Sequence, residues 1–104
     1  MTGNELKVLD ANQDTLVELL DPNDLINILV AKKVINHRQL TVINSKLNVF
    51  EKNEQLIEIF RQCSRHDYQK IVECLRLSNQ NHIADILQFG GGMYTTIADG
   101  YSYD

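Results

Sequence analysis

The sequence predicts an all-α fold, a bundle of six short antiparallel helices, and three observations lead there. Apolar residues recur at helical spacing along most of the chain, and no strand-like alternation persists. Residues that cap helices recur along it, several with an acid or amide three positions on. The stretches between are only a few residues long, which favours antiparallel neighbours.

The first helix is predicted over residues 5–20, with Leu6, Leu9, Leu16, Val17 and Leu20 on one face and Lys7, Asp10, Asp14 and Glu18 elsewhere. It breaks at DPND, where Asp21 can cap, Pro22 suits the first helical position and Asp24 lies beside the orphan amides of the first turn. A second helix, 22–33, follows at once. Its broad apolar face of Leu25, Ile26, Ile28, Leu29 and Val30 suits the centre of a bundle. Three starts then repeat one device. Asn36 with Gln39 opens a helix to about Asn44, Asn48 with Glu51 one to about Cys63, and Ser64 with Asp67 one to about Leu77. A last helix, 82–89, is predicted with Asn81 as its cap and Gly90 as its stop.

After this point the character changes. GGGMYTTIADGYSYD has no helical period, so residues 1–89 are expected to form one domain and 90–104 a flexible tail or linker. The glycine run is a poor phosphate cradle, since that motif needs a helix after it and usually a strand before it. Tyr94, Tyr101 and Tyr103, beside Asp99 and Asp104, are candidates for phosphorylation, which would add charge able to repel an acidic surface.

Composition narrows the function. With 43% hydrophobic and 23% charged residues over 104 positions, the chain is too apolar for general disorder and large enough for one core. No apolar cluster approaches the roughly 20 residues a membrane span needs, and MTGNELKVLD lacks the basic and apolar regions of a secretory signal. An intracellular, cytoplasmic protein is expected. Cys63 and Cys74 fall in predicted helices and read as buried thiols rather than a disulfide. Cys63 and His66 do have C-x-x-H spacing, and Cys74 and His82 are two further possible ligands, but a second tight pair is missing. His37, His66 and His82 all stand at predicted helix starts or turns, and neither cysteine lies in a Q-A-C-[RQG]-G nucleophile segment, so no catalytic residue and no cofactor is expected.

Charge is distributed unevenly. The formal net charge is -4, yet residues 25–50 carry Lys32, Lys33, Arg38 and Lys46 and no acid at all. Nucleic acid is not the expected partner, because a duplex binder shows a strongly basic face and high pI, whereas this chain has pI about 5.2 and no aromatic residue in the basic stretch 29–46 for stacking.

The stretches LVELLDPNDLINILVAKKVI, VINSK and SNQNHIADIL, together with six amphipathic helices in about 90 residues, resemble the caspase recruitment domain (CARD). The likeness covers residues 5–89 and points to the members found in apoptosome scaffolds and initiator caspases. It implies the death fold, a Greek-key bundle of six helices. One departure is Arg65-His66, where many members carry Arg-Gly between helices four and five. The resemblance implies a homotypic protein-interaction module with no enzymatic activity. Its partner would be the CARD of an initiator caspase or apoptosome-type scaffold, or a second copy, with no role for nucleic acid or membrane.

In the family's best-known contact, helices one and four of one copy meet helices two and three of the next, the former basic and the latter acidic in the apoptosome pairing. Here the signs are reversed. Asp10, Asp14, Glu18, Glu51, Glu54 and Glu58 fall on the helix one and four side, balanced only by Lys7, Lys52 and Arg61. Lys32, Lys33, Arg38 and Lys46 fall on the helix two and three side. Exposed ion pairs contribute roughly 0.2 to 1 kcal/mol each, against about 8 kcal/mol for a micromolar complex, so they set registry more than affinity. The alternative is another death-fold or helical-bundle module that binds a helix or peptide in a groove. A split first helix distinguishes the first reading; a deep apolar groove distinguishes the second.

Overall fold

A computed structural model describes residues 3–90, and the tail with its three candidate tyrosines lies outside the described residues. Local capping sets where most helices begin. Asp21 accepts from the Asn23 amide at 3.2 Å with Pro22 at the first helical position. Asn36 and Gln39 form a complete reciprocal box, Gln39 N–H donating to Asn36 Oδ1 at 2.8 Å and Asn36 N–H to Gln39 Oε1 at 2.9 Å. Asn48 and Ser64 accept from the amides of Glu51 and Asp67 at 2.9 and 3.1 Å. The Glu51 carboxylate turns instead to the Leu47 amide, at 3.2 Å.

The helices are α1 (Gly3–Ala11), α2 (Gln13–Leu19), α3 (Pro22–Ala31), α4 (His37–Asn44), α5 (Val49–Gln62), α6 (Arg65–Leu77) and α7 (Asn81–Phe89), with no strand among the described residues. Seven appear where six were expected, because the first predicted helix is split at Asn12. Its backbone leaves the helical region (φ -113°, ψ 11°), and its side-chain amide donates to the Val8 carbonyl at 2.9 Å, beside its own N–H at 3.1 Å. An asparagine that offers the backbone a competing donor in mid-helix is the physical cause.

The last helix also differs. It begins at Asn81, the residue expected to cap it, and no side chain caps it. Asn79, at φ 63°, closes the end of α6 in the left-handed region, and only Ser78, Asn79 and Gln80 lie between the two helices. The Asn81 oxygen is taken by Arg76, 3.4 Å away. The same guanidinium reaches Asp85 at 2.8 Å and Gln88 at 2.6 Å, fastening α7 to α6.

Helix α5 packs against α1, α2, α3 and α4, while α6 joins α3 to α7 and α1 closes against α5 and α7. Leu9, Leu16, Leu25, Leu29, Ile43, Leu56, Ile57, Phe60, Ile71 and Leu75 are fully buried between them. Each such side chain contributes roughly 1.5 to 3 kcal/mol on leaving water, offset by the entropy of ordering the chain. The expected apolar faces of α2 and α3 are the buried ones, with Ile28 and Val30 partly covered at the margin.

Candidate protein-interaction surface

Asp14 and Glu18 stand four residues apart on the exposed side of α2, opposite the buried Leu16 and Val17. Glu51, Glu54 and Glu58 make a stripe along α5, which packs against α2. One buried residue joins the two helices. Asn53, wholly buried, donates through Nδ2 to the carbonyls of Val17 at 2.9 Å and Leu20 at 2.8 Å, satisfying the end of α2. Its Oδ1 has no partner among the described residues. Sequence reasoning missed Asn53, although a lone amide in the apolar stripe of Leu56, Ile57 and Phe60 was a signal that it serves buried backbone.

The acids are not equivalent. Asp10 is paired with Arg61 across α1 and α5, so its charge is already balanced. Glu51 is engaged with the Leu47 amide, and Glu58 accepts from Gln62 at 3.0 Å. Asp14, Glu18 and Glu54 are exposed and make no hydrogen bond or ion pair among the described residues. The bases divide likewise. Lys32, Lys33 and Arg38, at the α3–α4 corner, are exposed and make no ion pair among the described residues. Lys46 is half-buried and lines a shallow depression with Glu51, Glu54 and Glu58, so it stands beside the acids rather than with the other bases.

A second feature escaped the sequence reading. Val42, Leu47, Val49 and Phe50 are exposed together at the α4–α5 corner, Leu47 at 90%. The signal was local: an apolar residue before a cap packs normally on the fourth helical position, but here that position is Lys52, so Leu47 has nothing apolar to cover it.

The cysteine and histidine positions do not converge, and among the described residues no group of three His, Cys, Asp or Glu side chains is placed to hold a metal ion. Cys74 is buried, His82 is exposed in the first turn of α7, and Cys63 donates to the Phe60 carbonyl at 3.1 Å. Burial pushes the Cys63 thiol up to about 11, with the Asp67 carboxylate adding to the effect, and burial raises Cys74 too. Neither supplies a thiolate near neutral pH. A groove between α1, α6 and α7 is lined equally by polar residues (Glu5, Arg65, Gln69, Gln88) and by Val8, Tyr68, Val72 and Leu87, so it is not a wholly apolar cleft.

A split first helix, five further helices with α5 packed against the first four elements of the bundle, and sequence agreement then coincide. A family model for the caspase recruitment domain matches residues 6–89. The chain belongs to the caspase recruitment domain family. A search of curated proteins finds no match. As a CARD it is a protein-interaction module of the kind that binds other CARDs, in apoptotic or inflammatory signalling. No helix among its described residues is long and apolar enough to cross a membrane.

Proposed function

We propose that this CARD works without catalysis in the cytoplasm, joining the CARD of an initiator caspase or apoptosome-type scaffold and clustering the proteins so joined. The observation that carries the reading is the separation of unpaired charge: Asp14, Glu18 and Glu54 on α2 and α5, and Lys32, Lys33 and Arg38 at the α3–α4 corner. Complementary potentials of this kind steer encounter and fix register. A contact between two different surfaces of like domains does not close on itself, so it can propagate. Propagation brings attached proteases close to one another. Residues 1–89 form the interacting domain in this reading, and 90–104 serve as a tail or linker.

The test is binding of the full chain to a panel of initiator-caspase and scaffold CARDs, with and without the Lys32→Glu, Arg38→Glu double substitution. The expected result is at least one partner whose affinity falls about tenfold, equivalent to about 1.4 kcal/mol, and falls again with added salt in the unsubstituted chain. Unchanged affinity in a variant of unchanged circular dichroism would overturn the electrostatic reading.

A further inference from the structure

Helix α7 ends beside the groove that it shares with α1 and α6. Gly90 stops the helix at φ 77°, a backbone conformation that other residues rarely adopt, and its N–H donates to the Ile86 carbonyl at 2.8 Å. A Cβ on Gly90 would stand 3.7 Å from a Val8 methyl, so the chain leaves α7 against α1. Val8 lines the groove, as does Leu87 three residues before the exit. The groove holds about 590 Å³, within the range of pockets that take up ligand side chains. Tyr68 and Leu87 are its buried apolar residues, joined by the 2.8 Å bond from the Tyr68 hydroxyl to the Leu87 carbonyl, while Val8 and Val72 are only partly covered. Arg65 is exposed on the rim and makes no ion pair among the described residues.

The sequence that follows Gly90 is GGMYTTIADGYSYD, residues 91–104. Met93 and Ile97 are four apart, a spacing that puts them on one side of the chain whether it is extended or turns as a helix. Ile97 is seven residues past Gly90 and can reach up to about 25 Å, whereas α6 rises only about 10 Å between Arg65 and Val72. The segment therefore spans the groove with length to spare. Its only charged side chains are Asp99 and Asp104, and Arg65 is the one base that lines the groove. A lining that is half polar and half apolar suits a segment that alternates methionine and isoleucine with threonine and tyrosine. Tethering favours this occupant over any free peptide, because a short linker holds its end at an effective concentration on the order of millimolar.

We infer that the groove between α1, α6 and α7 is the docking site of the chain's own segment 91–104, with Met93 and Ile97 against Val8, Tyr68, Val72 and Leu87, and the segment's acids toward Arg65. The contact is within one molecule. It lies on elements other than α2, α3, α4 and α5, which carry the charges of the two-surface reading, and it does not depend on that reading. Docked, the segment acts as a strap that fastens α1 to the α6–α7 pair and closes the groove to other peptides.

The experiment uses the full 104-residue chain, methyl-labelled for NMR, beside its Met93→Ser, Ile97→Ser double variant and its Arg65→Glu variant. The expected result is a set of nuclear Overhauser contacts from the Met93 and Ile97 methyls to those of Val8, Val72 and Leu87. In the double variant the groove methyls shift while those of the core residues Ile43 and Leu56 stay in place, which separates loss of docking from loss of fold. Arg65→Glu moves the groove methyls part of the way in the same direction. The contacts persist unchanged on dilution, because they form within one chain. Groove methyls that are identical in the unsubstituted chain and the double variant, with no contact to Met93 or Ile97, overturn the inference. Contacts that vanish on dilution also overturn it, since they would belong to the segment of another molecule.

Discussion

Gln80 holds both backbone polar groups of Asp21: its Oε1 accepts from the Asp21 N–H at 2.9 Å, and its Nε2 donates to the Asp21 carbonyl at 3.0 Å. The two residues are 59 apart in sequence and stand in the two turns, DPND and SNQN, that most resemble the family. One amide thus ties the α2–α3 turn to the α6–α7 turn. It also orders itself through a 2.9 Å bond from Nε2 to Ser78 Oγ.

Gln80→Ala is expected to lower stability by about 1 kcal/mol, the net worth of two partly exposed hydrogen bonds. In a domain of this size that is a fall of roughly 4–8 °C in melting temperature. Gln80→Glu keeps the acceptor and loses the donor, so it should fall between the two in thermal unfolding. A melting curve unchanged by Gln80→Ala would mean that the two turns are held by packing alone.

Asn53 is more deeply placed, and its loss should cost more. Asn53→Ala leaves the Val17 and Leu20 carbonyls without their buried donor and is expected to destabilise by about 2 kcal/mol. Asn53→Asp sets a carboxylate against those carbonyls and should be worse, by about 3–5 kcal/mol, unless it takes up a proton. Urea denaturation reads the size of each effect. Hydrogen exchange should show α2 loosening first, since Asn53 is the buried bond between α5 and the end of that helix.

The apolar corner should matter little to folding. Leu47→Ser with Phe50→Ser removes side chains that are 90% and 54% exposed, so the urea midpoint should correspond to a change within about 0.5 kcal/mol. Solubility in ammonium sulfate should rise, because that salt strengthens association through apolar surface. A large loss of stability would show that these residues pack on the fold after all.

Stability should fall on the alkaline side. Burial raises the Tyr68 hydroxyl, which donates to the Leu87 carbonyl at 2.8 Å, and raises both thiols, Cys63 from 9.0 to about 11. Between pH 9 and about 11 the unfolded Cys63 thiol has lost its proton while the folded one keeps it. The unfolded state then binds fewer protons, so stability is present in full below pH 9 and is lost as pH rises through that window. Urea titrations at several pH values should show the decline, and Cys63→Ala should make it shallower. A decline of equal slope in both proteins would assign it to Tyr68 and Cys74.

What the sequence determined by itself is whatever depends on near neighbours. The starts at Asn36, Asn48 and Ser64 were legible because a cap and the amide it accepts are three residues apart. The buried faces of α2 and α3 were legible because one helical period places them. The segregation of charge was legible as simple order along the chain. Tertiary structure decided the rest, because it turns on which helices pack and in what register. It gave Asp10 to Arg61, put Lys46 among Glu51, Glu54 and Glu58, sent Gln80 to Asp21, and drew the Asn81 oxygen to Arg76 instead of to the start of its own helix. Only the packed bundle leaves Asp14 and Glu18 on α2, Glu54 on α5, and Lys32, Lys33 and Arg38 between α3 and α4 exposed and without an ion pair among the described residues. Long side chains take the nearest opposite charge in space, and distance along the chain does not report it.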